Sequence, residues 1–401
     1  MGFTTTAAQA DSVRLPTADA HLRLPRQRPS RRRAMASHPP PVPKTMEERR
    51  RSSISVPQEK RKHYISTERC GDLTVHVQGD LLQQDKRCVF LTVHDLGCNH
   101  STWDDYVNRP CMTEIKERSI FIHVDVPGHE ENAGRRADGS FPSLQVLGEE
   151  LVTVLEFLHV RYVICLGEGA GANVLARFAL AHPSRTLGLI LINLTGSSTS
   201  VIEVFKSKFI NWKGKDAVVR QSAEDYLLFH KFGHMVNESS EEKERIMAEF
   251  TNRLGDTINM DNVKMYVNAF LNRTDLPLKQ YVGDILLIAG MKGSYASVTE
   301  KLHKDLDKKT ATLLKIEKAG DVLSDAPAKV AHAILLFCKG VGQLTSVTLP
   351  GVDRQRAFSG CVFDSSDPKR RFGRGLSMEE YDKPNIRRFS LTTSASVDSG
   401  K

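Results

Sequence analysis

The sequence predicts an α/β fold: a mostly parallel central sheet, helices on both faces, and a helical cap inserted between the sixth and seventh strands. Three observations carry this prediction. From Leu73 to Leu194, short apolar runs rich in Val and Ile alternate with segments whose apolar residues recur at three and four residues. Strands that alternate with helices pair in parallel and are buried on both faces. Second, a Gly-rich turn, Gly167-Glu168-Gly169-Ala170-Gly171, joins an apolar run to an Ala-rich segment. Third, residues 197–280 carry no strand signal, only amphipathic segments, before apolar runs resume at Asp284.

The elements follow in order. Residues 1–63 are rich in Pro, Arg and Ser, lack any apolar period, and are expected to be a disordered tail. The folded part is expected to begin at Tyr64 and to end at 342. Leu73–Val77 alternates as a half-buried strand, and Cys88–His94 is a continuous apolar strand that runs into the polar stretch Asp95–His100. Ile120–Val126 is a further strand, closed by Pro127-Gly128-His129, where Asp125 and Gly128 are expected to shape the turn. Leu144, Leu147, Leu151, Val154 and Leu158 mark a helix over 143–158. The strand at 162–166 precedes the Gly-rich turn, a helix is expected from about Ala172 to His182, and Leu187–Leu194 reads as a strand. Amphipathic helices are expected around 199–211, 222–232, 240–254 and 260–271, forming a cap over about 197–280. Strands follow at Asp284–Gly290 and Ala311–Ile316, with helices at 297–306 and 327–339. Residues 343–401 are again rich in Ser, Arg and Gly and read as a second disordered tail.

Charge divides along the same boundaries. The net charge of +8 resolves into +9 over residues 1–63, −4 over 64–340 and +3 over 341–401. A slightly acidic body argues against nucleic acid as a partner, because that function needs a basic face on folded structure. Basic tails suit acidic membrane lipids better. The seven cysteines include no C-x-x-C pair, and Cys88, Cys165 and Cys338 lie in apolar runs. That usage fits a reducing compartment. No apolar stretch reaches the ~18 residues of a membrane span.

The Gly-rich turn has the layout of the nucleophile elbow of the α/β-hydrolase fold, G-x-S-x-G, in which a Ser sits on a tight strand-to-helix turn. Here Gly169 stands in the nucleophile's seat. The seat of the acid, just after Ile285–Gly290, reads Met291-Lys292-Gly293-Ser294 and holds no carboxylate. The seat of the His, in Ala319-Gly320-Asp321, holds Asp321. Asp cannot supply the neutral imidazole that such chemistry uses as base. His94-Asp95-Leu96-Gly97 falls where these folds place an oxyanion loop. A remnant pocket is therefore expected from His94, Asp95, Gly97, Glu168 and Gly169, with Glu168 facing solvent or the cap. His94, His100, His123 and Asp125 lie near strand ends, but their spacing fits no tight zinc motif, and neither metal nor cofactor is expected.

Several motifs occurring in order resemble the N-myc downstream-regulated (NDRG) family. They are Thr92-Val93-His94-Asp95-Leu96-Gly97-Cys98-Asn99-His100, Val124–His129, Gly167–Ala172, Arg177-Phe178-Ala179-Leu180, Leu189–Asn193 and Thr312–Lys315. The resemblance covers about residues 64–342. It implies an α/β-hydrolase fold without hydrolase activity, in a cytoplasmic protein linked to signalling, stress response, differentiation and vesicle traffic. It also implies phosphorylation of the C-terminal tail by basophilic kinases, and protein partners whose identity it does not give.

The tails support that implication independently. Arg354-Gln355-Arg356-Ala357-Phe358-Ser359 is R-x-R-x-x-S, Arg374-Gly375-Leu376-Ser377 is R-x-x-S, and Arg387-Arg388-Phe389-Ser390 is R-R-x-S. Arg49-Arg50-Arg51-Ser52-Ser53 places Ser53 in a similar setting. A phosphate beside such basic clusters adds roughly −1.5 to −2 charge and weakens attraction to acidic lipid. Three functional readings stand: a non-enzymatic signalling or trafficking adaptor, an unconventional enzyme or small-ligand sensor using the remnant pocket, and a membrane-surface binder acting through its tails.

Overall fold

A computed structural model describes residues 60–347, apart from Asp138, 214–221 and 236–238. The candidate phosphorylation sites Ser53, Ser359, Ser377 and Ser390 lie outside the described residues.

Eight strands form one sheet: β1 (Lys60–Thr67), β2 (Gly71–Gln78), β3 (Cys88–Val93), β4 (Ser119–Asp125), β5 (Val163–Glu168), β6 (Thr186–Ile192), β7 (Ile285–Gly290) and β8 (Ala311–Ile316). Their order is β1-β2-β4-β3-β5-β6-β7-β8. The pairs β1–β2 and β2–β4 are antiparallel, and every other pair is parallel. β1 begins at Lys60, ahead of the expected start at Tyr64. Its sequence, KRKHYIST, is too polar to announce a strand, and it is held by pairing with β2 over its whole length.

Period-2 alternation divides the core into two layers. Val163 and Cys165 of β5 face one side with Val89, Leu91, Leu189 and Leu191. Ile164 and Leu166 face the other with Phe90, Ile190 and Ile192. The first layer packs on α3 (Leu144–Phe157) and α4 (Gly169–Ala181). The second packs on α1 (His100–Val107), with α2 (Thr113–Glu117) beside it, and on α11 (Pro327–Gly340). Each fully buried aliphatic side chain contributes roughly 1.5–3 kcal/mol.

α1 replaces the end of what the sequence suggested was a loop. Asn99 caps it by accepting from the Ser101 N–H at 3.0 Å, and Trp103 and Tyr106 bury its inner face. α4 starts at Gly169, earlier than Ala172, because the turn is itself the first turn of the helix. Here a Gly is required: a Cβ at Gly171 would fall 2.2 Å from the Val93 carbonyl oxygen, so the helix lies directly against β3.

Between β6 and β7 the chain leaves the sheet as α5 (Ser198–Lys213), α6 (Ala223–Phe232), α7 (Ser240–Thr257) and α8 (Met260–Leu271). α6 is started by a reciprocal capping box between Ser222 and Asp225. Buried arginines fasten the return to the sheet. Arg273 donates to the Phe270 carbonyl at 2.6 Å and to Thr195 Oγ1 at 2.9 Å, and Arg177 of α4 donates to Thr274 and to Gln145. After β7 come α9 (Ala296–Lys304), then β8, then the single turn α10 (Val322–Asp325) that leads into α11. No helix among the described residues is long and apolar enough to cross a membrane.

Candidate functional site

In a parallel sheet, the loops at the carboxyl ends of the strands converge, and the edge where strand order reverses opens a crevice. Asp95 lies just past β3, Glu168 at the end of β5, Asn193 just past β6, Gly293 past β7, and Gly320 and Asp321 past β8. These residues meet around one cavity of about 70 Å³, closed from the cap side by His230, Lys231 and His234. Space of that size holds a few water molecules. The three seats read from the sequence, Gly169, Gly293 and Asp321, all line it.

Each seat is accounted for by local physics. Gly169 has φ +52°, a left-handed conformation that suits Gly. A Cβ there would fall 2.1 Å from Asp95 Oδ1. The space a nucleophile would use is therefore filled by the Asp95 carboxylate. That same Oδ1 accepts from the Ala170 N–H at 2.9 Å. In a hydrolase elbow, the N–H after the nucleophile belongs to the oxyanion hole; here a resident carboxylate takes it.

The other carboxylate oxygen faces the cap. Asp95 Oδ2 accepts from His230 Nε2 at 2.8 Å and from Lys231 Nζ at 2.6 Å. Asp95 is 4% exposed. Burial works against its charge, but His230 and Lys231 outweigh that and hold its pKa below the usual carboxylate range. Lys231 is correspondingly held well above its ordinary value: burial opposes its charge and Asp95 overrides it. One carboxylate thus joins the elbow, the β3 loop and α6 of the cap.

At the third seat, Asp321 caps α10. Its Oδ1 accepts from the Leu323 and Ser324 N–H groups at 3.0 and 3.2 Å, and Oδ2 from Ser324 Oγ at 2.8 Å. Asp321→Ala is expected to cost about 1 kcal/mol, read as a lower midpoint in urea denaturation. At the acid seat, Gly293 closes a tight turn by donating its N–H to the Gly290 carbonyl at 2.9 Å.

Glu168 turns toward the cavity and accepts from Asn193 Nδ2 at 3.3 Å. Burial, with the Asp321 charge beside it, pushes its pKa up to about 8. The sign follows directly. The unfolded chain releases this proton above its ordinary value of 4.5, while the folded chain keeps it to about 8, so Glu168 removes stability as pH rises between the two. Glu168→Gln is expected to stabilise the protein by about 3–4 kcal/mol at pH 7.5. The gain should vanish near pH 4 when denaturation midpoints of the two proteins are compared across pH.

The structure corrects two members of the expected pocket. His94 does not line the cavity. It is fully buried; its Nδ1 donates to the Asp95 carbonyl at 2.8 Å and its Nε2 accepts from the Val126 N–H at 3.1 Å. Both ring nitrogens are used by the backbone, and burial pushes its pKa down. Gly97, at φ +64°, packs under Leu227 and Phe250 of the cap instead. Asp125 also differs from its expected place in the Gly128 turn: it accepts from His100 and holds the start of α1. Sequence reasoning missed His230 and Lys231, which stand 135 and 136 residues from Asp95. Their adjacency, next to Phe229 in a helix that is otherwise apolar on its buried face, is the only local signal.

Comparison with known proteins agrees with the fold and narrows it. Among solved structures, the chain is similar to a carboxylesterase of Nitrososphaera gargenis, with TM-score 0.51, 17% identity, and coverage of 70% of this chain and 98% of that one. A thermophilic esterase from Thermogutta terrifontis gives TM-score 0.50, 15% identity, and coverage of 70% and 99%. At such identities the likeness shows an α/β-hydrolase fold and nothing about chemistry. By sequence, the chain is 39% identical over 312 residues to an uncharacterized protein of Caenorhabditis elegans, covering 76% of this chain and 93% of that one. It is 30% identical over 300 residues to Protein NDRG3 of Xenopus laevis, covering 71% of this chain and 77% of that one. A family model described as the Ndr family matches residues 63–345. The chain belongs to the Ndr family.

Proposed function

We propose that this protein is a non-enzymatic adaptor in signalling or vesicle traffic, an α/β-hydrolase scaffold whose former catalytic crevice fastens the cap to the sheet. One observation carries the reading: the Asp95 carboxylate fills the nucleophile's space at Gly169 and takes the Ala170 N–H that would stabilise an oxyanion. Electrostatic stabilisation of that developing charge is usually the largest single contribution to acyl-transfer catalysis. A fixed negative charge in the same place opposes it. The protein then works through its surface, its cap and its tails. Phosphorylation of Ser359, with Ser377, Ser390 and Ser53 as further sites, regulates it in a cytoplasmic setting. The experiment is proximity labelling with the full chain against its Ser359→Ala form. A set of partners that changes with the substitution supports the adaptor reading, and an identical set in both forms removes the tail from it.

The small cavity favours a second reading, a sensor for a small polar ligand that reaches Glu168 and His234. A third reading, binding to acidic lipid through the basic N-terminal tail, rests on its charge of +9. Co-sedimentation with anionic vesicles that is lost at high salt would support it.

A further inference from the structure

A second polar cluster lies outside the cavity, at the point where Asp125 holds the start of α1. His76 of β2, His100 at the start of α1 and Asp125 at the end of β4 bring one ligand atom each within 4.8 Å of one another. Asp125 Oδ2 is 2.8 Å from His100 Nδ1 and 3.3 Å from His76 Nε2. None of the three lines the Asp95 cavity.

From these residues we propose a zinc site with His76, His100 and Asp125 as ligands and an open fourth position for water. The inference is independent of the adaptor reading. Two imidazoles and one carboxylate form a borderline donor set of the kind zinc takes, with one position left open. Bonds of roughly 2.0–2.1 Å in a tetrahedron place ligand atoms about 3.3 Å apart. The His76 distance to Asp125 Oδ2, 3.3 Å, matches that value, and the His100 distance, 2.8 Å, is shorter.

The surroundings are those of a built site. Asp125 is fully buried, and its other oxygen, Oδ1, accepts from the His100 backbone N–H at 2.5 Å. That bond fixes the carboxylate so that Oδ2 faces both rings, the kind of supporting contact that orients a metal ligand. His76 Nε2 is buried and makes no hydrogen bond among the described residues, although it points toward the carboxylate. The two His side chains are 19% and 14% exposed, which leaves a path for the ion from solvent. The two rings lie stacked, with centroids 3.5 Å apart and planes 8° from parallel. Binding turns them out of the stack so that their lone pairs converge, and His100 then carries its ring hydrogen on Nε2. A bound ion ties β2, β4 and α1 together at the antiparallel side of the sheet.

The test uses the full chain, stripped of metal and titrated with zinc against a chromophoric chelator. His76→Gln and His100→Gln are compared with His332→Gln, an exposed control. Wild type and the control are expected to bind one equivalent at this site. Each site variant should lose more than the roughly 10–100-fold in affinity that removing a mere supporting partner costs. Cobalt in place of zinc should give the visible bands of a four-coordinate site in wild type and lose them in both variants. Anomalous diffraction from zinc-soaked wild-type crystals decides the matter if either variant fails to fold. Density at the triad supports the site. Its absence there, no stoichiometric uptake by wild type, or unchanged affinity in folded variants overturns it.

Discussion

Asp95→Ala is expected to destabilise the protein by about 3–5 kcal/mol at pH 7, the usual cost of removing one partner from a buried ion pair. The loss has three parts, all at one carboxylate. Lys231 keeps a buried ammonium with no counter-charge, His230 loses its acceptor, and the Ala170 N–H loses its partner. The cap is the first element affected, because α6 is joined to the sheet through these bonds. Hydrogen exchange is expected to rise in α6 ahead of the strands. Asp95→Asn separates charge from shape: it keeps an acceptor for Ala170 and leaves Lys231 unbalanced, so it should recover only part of the loss. The pH dependence has a fixed sign. A carboxylate held below its ordinary value of 3.8 contributes stability that is complete above that pH and is lost as pH falls below it. The gap between wild type and Asp95→Ala should therefore narrow in strong acid, as measured by denaturation at a series of pH values.

Gly169→Ser, which writes the elbow motif back into the sequence, is expected to lower stability by about 2–4 kcal/mol and to create no esterase. The stability cost combines a side chain at a left-handed backbone position with overpacking against a carboxylate that three donors hold in place. A Cβ 2.1 Å from Asp95 Oδ1 cannot be accommodated without moving Asp95 off Ala170 or off the cap. Activity stays absent because the new hydroxyl has no base. Loss of the base from such a triad costs roughly 10⁶ in rate, and Asp321, in the seat of the His, is committed to the N-terminus of α10. Denaturation midpoints read the first part, and ester hydrolysis reads the second.

How much of this was legible in the sequence depended on the range of the physics. Strands β3 to β7 are buried on both faces, so their apolar runs declare them, and the half-exposed edge strand Ala311–Ile316 is found with the expected bounds. β1 was illegible because an edge strand that pairs on one side only needs no apolar run. α1 was hidden behind the polar Asn99-His100-Ser101-Thr102, whose polarity is that of a capped helix start and not of a loop. The vacant seats at Gly169, Gly293 and Asp321 were readable because each sits at a fixed offset from a strand end. What replaced them was not readable. The partners of Asp95 come from a cap helix whose position over the sheet is set by tertiary packing, and no local spacing links Asp95 to His230 and Lys231. His100 and Asp125 were legible as candidates near strand ends, but His76 escaped for the same reason, being brought to them by the antiparallel β2–β4 pairing.

The central claim is that the crevice kept its fold and exchanged acyl-transfer chemistry for a buried ion pair. Its most direct test is the steady-state hydrolysis of short-chain p-nitrophenyl esters by the purified full-length protein and by Asp95→Ala. The prediction is that both proteins run at the buffer background. Enzyme-like turnover by the wild type that disappears in a folded Asp95→Ala protein would contradict it.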